Sequence, residues 1–110
     1  MTFDGGELDT RPLLAAVVEA RRRGRDAGET ARAFHRGLAE GIRQGILALA
    51  EEHGTGTVVL SGGVFQNELL LEDLKALLTP AFAVWTNREV PPNDGGISLG
   101  QAALAVSPQP

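Results

Sequence analysis

A chain of 110 residues that is 43% hydrophobic and 22% charged, with ten Lys+Arg against fourteen Asp+Glu and a formal net charge of −4, is sized for one modest core. It has no cysteine, which excludes disulfides, thiolate metal sites and a cysteine nucleophile. The opening MTFDGGELDT has neither a basic n-region nor an apolar h-region, and no run of about eighteen apolar residues occurs, so a single cytoplasmic domain over residues 1–110 with no membrane partner is expected.

Residues 1–43 carry eight cations and seven acids, whereas residues 44–110 carry two cations and seven acids. The basic cluster Arg21-Arg22-Arg23-Gly24-Arg25 ends a helical pattern and has no aromatic residues interleaved with it. Solvated cations that complement a helix C-terminus are the better reading, and no nucleic-acid partner is expected.

In chain order, Thr10 and Pro12 open a short helix whose apolar positions Leu13, Leu14, Val17, Val18 and Ala20 run up to Gly24. Asp26 with Glu29 three residues on resembles a capping pair, and the helix it starts should reach about His53. There Ala27, Ala31, Phe34, Leu38, Ile42, Ile46 and Leu49 recur every three or four residues, the spacing of a one-sided amphipathic helix. Gly37, Gly41 and Gly45 recur every fourth residue despite a helix-propensity cost of roughly 1 kcal/mol each, so another backbone is expected to approach along that stripe. A weak homodimer through this helix or an uncovered sheet edge is one expectation.

Gly54 and Gly56 stop the helix, and Thr57-Val58-Val59-Leu60 reads as a strand buried on both faces of a parallel sheet. Ser61 to Asn67 reads as a turn, and the following helix to Leu78 sets Glu68, Glu72 and Lys75 against Leu70, Leu71, Leu74, Leu77 and Leu78. Pro80 ends it, Phe82 to Thr86 reads as a second strand with Trp85 as core, and Pro91 to Gly96 leads into a small-residue helix from Ile97 to about Val106. The tail 107–110 should fray. The order strand, helix, strand, helix implies an α/β chain with two to four strands in a partly parallel sheet.

Both glycine-rich loops follow strands and open helices, the position at which parallel sheets bind ligands, so Gly62-Gly63 and Asn93-Asp94-Gly95-Gly96 are expected to face one crevice. Consecutive glycines let a backbone approach a ligand closely. Asn67 either caps its helix or turns its amide toward a ribose or phosphate, and Asp94 either caps or binds a metal; the residues alone favour the capping readings. His35 and His53 lie too far apart for an i, i+4 metal pair, and His35 beside Phe34 reads as a packed or half-exposed residue. Ser61 lacks the G-x-S-x-G elbow of hydrolases.

Leu60-Ser61-Gly62-Gly63-Val64-Phe65-Gln66-Asn67, followed by Pro91-Pro92-Asn93-Asp94-Gly95-Gly96-Ile97-Ser98-Leu99-Gly100-Gln101-Ala102, resembles the C-terminal end of the HypF carbamoyltransferase family of [NiFe]-hydrogenase maturation. Ala33-Phe34-His35 and Arg11-Pro12-Leu13 match its helical stretches. The resemblance implies part of a TsaD-like domain, a partial actin/Hsp70/sugar-kinase-like lobe with a small, partly parallel sheet and packed helices. It implies that ATP and carbamoyl phosphate are used to make carbamoyl-adenylate and to carbamoylate a C-terminal cysteine of a HypE-like acceptor protein. Gly62, Gly63 and Asn67 would then hold the nucleotide, and Asp94 would be a carboxylate ligand of a divalent metal. The family's metal-binding histidines lie in an H-x-x-x-H helix with no counterpart in these residues, so an incomplete active site is expected, and no catalytic residue is assigned. A TsaD-like or kinase-like nucleotide-binding lobe and a non-catalytic interaction module are the alternatives.

Overall fold

The computed structural model describes residues 2–108. It begins with an antiparallel hairpin of β1 (Thr2–Asp4) and β2 (Glu7–Asp9), which the sequence reading did not anticipate. Its turn is Gly5-Gly6, both at positive φ (58° and 84°), the two-residue geometry in which the turn twist matches that of the strands. Asp9 then accepts from the backbone N–H and the guanidinium of Arg11, which holds the Asp9 carboxyl down at about 2 and ties the hairpin to the next helix.

Helix α1 (Arg11–Arg22) starts with Pro12 in its first turn, and α2 (Ala27–His53) starts on Asp26, whose carboxylate accepts from the Glu29 N–H at 3.0 Å. Gly54, left-handed at φ 62°, closes α2. At Gly37 and Gly45 of the glycine stripe the close neighbour is a side chain of this chain and not the expected backbone. A Cβ at Gly37 would lie 2.6 Å from the Leu13 side chain of α1, and one at Gly45 would lie 3.4 Å from the Phe3 ring of β1. The Phe3 N–H also donates to Gln44 Oε1 beside it.

Strand β3 (Thr57–Leu60) pairs in parallel with β4 (Ala83–Thr86), Thr57 opposite Ala83 and Leu60 opposite Thr86, with α3 (Glu68–Leu78) between them in sequence. The expected β-α-β order therefore holds, as a two-stranded parallel pair separate from the hairpin. The expectation that β3 is buried on both faces does not. Leu60 is buried and Val58 packs against the core, while Val59 is 68% exposed, because the small sheet has α2 and α3 on one side only. Trp85, expected in the core, lies on that open face and is 66% exposed.

The core is formed by Leu70, Leu74 and Leu78 of α3, four residues apart on one helix face, packed with Ala39 of α2 and Leu60 of β3. Phe82, expected at the start of β4, instead donates its N–H to Leu78 O and packs its ring on this core. Helix α4 (Ile97–Val106) has no buried residue. Ser107 closes it with both its N–H and hydroxyl on Ala103 O; the rest of the expected tail, residues 109–110, lies outside the described residues. The molecule is elongated, 57 × 31 × 24 Å, with a radius of gyration of 16.8 Å, against about 13 Å for a compact chain of this length. Among the described residues no helix is long and apolar enough to cross a membrane.

Candidate functional site

The two glycine-rich loops leave the C-terminal ends of the parallel strands on the same side, and a backbone hydrogen bond from Gly62 N–H to Pro92 O, 2.8 Å long, joins them. Gly62 adopts φ 110°, ψ 157°, a conformation open to glycine and strained for side-chain-bearing residues, and it turns the chain out of β3 into a single 3-10 turn, Gly63–Gln66. Nothing lies within 4 Å of where a Cβ would stand on Gly62 or Gly63, so that side of the turn is open, while the Gly62 N–H is engaged by Pro92 O.

Beneath the joined loops is an open cavity of about 870 Å³ to which Gly62, Gly63, Arg88, Glu89 and Asp94 all contribute. The second loop is shaped by Asn93, whose side chain accepts from the Gly95 N–H at 2.9 Å, and Gly96 is packed so closely that a Cβ would meet Pro91 O at 2.9 Å. Capping is thus done by Asn93, and the neighbouring Asp94 carboxylate is exposed at the mouth with no hydrogen-bond or ion-pair partner among the described residues.

Asn67 lies at the far end of the 3-10 turn and is not part of that cavity's lining. Its Oδ1 accepts from the N–H groups of Leu69 and Leu70 at 3.1 and 3.3 Å, capping α3, and its Nδ2 is 2.9 Å from Nε2 of His35 on α2. His35 is in turn fixed through Nδ1 to Ala31 O at 2.8 Å, with Phe34 edge-on to its ring. One turn further along the same interface Arg32 grips Asp73 of α3 through two bonds of 2.5 and 2.7 Å, and the guanidinium holds the Asp73 carboxyl below the usual carboxylate range. The loop that carries Gly62 and Gly63 is therefore tied at its start to the second loop and at its end to α2. Sequence reasoning did not pair His35 with Asn67: they are 32 residues apart, and spacing rules reach only within one element.

No cluster of three or more side chains able to hold a metal occurs among the described residues. Asp94 and Glu89 border one cavity with no third Asp, Glu, His or Cys grouped with them among the described residues.

The chain matches the model of a family described as the carbamoyltransferase, Kae1-like domain, second subdomain, over residues 1–101. It is 36% identical over 107 residues to carbamoyltransferase HypF2 of Cupriavidus necator, covering 96% of this chain and 13% of that protein. It is 38% identical over 102 residues to carbamoyltransferase HypF of Rhizobium leguminosarum bv. viciae, covering 91% and 13%. Among solved structures it is similar to the crystal structure of T. kodakarensis HypF, with a TM-score of 0.75 and 30% identity over 86% of this chain and 12% of that one. The chain thus spans about an eighth of the length of these relatives. With both glycine-rich loops inside the matched region, the chain belongs to the HypF carbamoyltransferase family.

Proposed function

We propose that this chain forms one wall of the nucleotide site of a HypF-type carbamoyltransferase, a partial actin/Hsp70/sugar-kinase-like lobe that works in the cytoplasm with the remaining parts of such an enzyme. The observation that carries the reading is the junction of the two loops. Gly62 and Gly63, with nothing near where a Cβ would stand, and Asp94, with a partnerless carboxylate, border one cavity at the C-terminal ends of two parallel strands. The Gly62 N–H is taken by Pro92 O, so it is the backbone of Gly63, on the open side of the turn, that suits a phosphate of ATP, while Asn67, outside that cavity's lining, would serve a ribose or phosphate oxygen beyond the turn. Asp94 would contribute one ligand to a divalent metal completed by histidines that these residues do not supply.

In this reading the complete site converts ATP, carbamoyl phosphate and water into carbamoyl-adenylate with release of pyrophosphate and phosphate, and the carbamoyl group then passes to the thiol of a cysteine at the C-terminus of a HypE-like acceptor protein, with AMP as the leaving group. This chain's part is to bind and orient the nucleotide. One open wall leaves bound phosphates in water, so the chain alone should not form the adenylate.

Thermal unfolding with increasing ADP tests the binding role. A ligand at one hundred times its Kd adds about 2.7 kcal/mol of stability. ADP should raise the unfolding temperature of the wild-type chain, whereas exchange of labelled pyrophosphate into ATP, dependent on carbamoyl phosphate, should be absent. An unfolding temperature indifferent to ADP at every concentration would remove the nucleotide role, and exchange catalysed by the purified chain would contradict the one-wall reading.

A further inference from the structure

We propose that His35 is a positioning residue for Asn67: its imidazole, in the Nδ1–H form, locks the Asn67 amide with its oxygen on the start of α3 and a single N–H left free to donate to a ligand held by the loop. The proposal deepens the nucleotide reading of Gly62, Gly63 and Asn67 and rests on it for the identity of that ligand.

Donors and acceptors pair in only one way at this contact. Ala31 O can only accept, so the 2.8 Å contact requires the hydrogen of His35 on Nδ1. A neutral ring with its hydrogen there has a lone pair on Nε2, and Nε2 lies 2.9 Å from Asn67 Nδ2, which can only donate. The same arrangement fixes the amide's sense. Oδ1 accepts from Leu69 and Leu70, and a flipped amide would lose both bonds and turn its oxygen toward the Nε2 lone pair. With its oxygen doubly engaged and one N–H on His35, Asn67 has one donor and no acceptor to offer. It is therefore matched to a ligand atom that accepts, a phosphate or ribose oxygen, and mismatched to an exocyclic amine. The 3-10 turn Gly63–Gln66 sits between this lock and the Gly62 to Pro92 bond, so His35 also sets where the loop ends.

Long-range proton–nitrogen spectra of the ¹⁵N-labelled chain, with the ring neutral, read the position of the imidazole hydrogen directly. The expected result is the Nδ1–H form, together with an Asn67 side-chain amide that exchanges its protons at least about ten-fold more slowly than that of Asn93, matching one net hydrogen bond. In His35→Ala that slowing should vanish and ADP should bind about ten-fold more weakly. In His35→Gln, whose amide oxygen can stand where Nε2 stood, both should return. An Nε2–H imidazole, or an Asn67 amide as fast as that of Asn93, overturns the lock. Unchanged ADP affinity in His35→Ala with the Asn67 amide released overturns the positioning role. If the wild-type chain binds no ADP while the Nδ1–H form and the slowed amide are found, the lock stands and the nucleotide reading is what fails.

Discussion

The interface between α2 and α3 and the segment from Pro91 to Val106 both border the candidate site, yet they are held by different means. At the first, Leu70, Leu74 and Leu78 are buried against Ala39, and Arg32 to Asp73 and His35 to Asn67 cross the same seam. At the second, α4 has no buried residue, and a backbone hydrogen bond from Gly62 to Pro92 joins its leading loop to the rest. The glycine loop thus belongs to a wall that this chain builds itself. Asp94 belongs to a wall whose apolar residues, Ile97 and Leu99 among them, face water. A site divided in this way can have one half ready and the other dependent on what covers it.

The contrast can be broken most forcefully at Leu74. It has no exposed surface, and Leu74→Ala should cost about 2–5 kcal/mol in the free energy of unfolding by urea, enough to unfold a marginal chain. A loss below 1 kcal/mol would show that this seam is not what holds the molecule. Gly62→Ala comes next. The space is open but φ is 110°, so backbone strain of about 1–3 kcal/mol is expected, read as a lower unfolding midpoint with unchanged slope.

Asp73 gives a pH-dependent version of the same test. Arg32 lowers its carboxyl pKa in the folded chain, so the pair contributes fully above the unfolded value near pH 4 and is lost as pH falls through the lowered folded value. Denaturation of wild type and Asp73→Asn across this range should show the two curves converging at acid pH; a gap that stays constant would place the stabilisation elsewhere. The smallest effect is expected at Leu99, which is exposed on α4: Leu99→Ala should change stability by about 0.5 kcal/mol or less.

The sharp division between the two regions explains what could be read from the sequence. The extent of α2, its Asp26 cap and the burial of Leu70, Leu74 and Leu78 on α3 follow from spacing and caps, because the groups that decide them lie within one element. Leu49 and Leu77, expected on the covered faces, are instead exposed, and Ala39, off the expected stripe, is the α2 residue in the core. The burial of Val59 and Trp85 was misjudged because an apolar strand in a parallel sheet is normally covered twice, and here one cover is lacking. The hairpin has a turn signal in Asp4-Gly5-Gly6-Glu7, but strands of three residues are too short to show an alternating pattern. The loop motifs pointed to the HypF family directly, whereas the bond between His35 and Asn67 required the fold.

Backbone amide hydrogen exchange tests most directly whether the candidate site joins a self-supported wall to an unsupported one. Amides of α2, α3 and β3 should exchange only through global unfolding, while those from Gly100 to Val106 should exchange at close to the rate of an unfolded peptide. Protection of α4 equal to that of α3 would contradict that division.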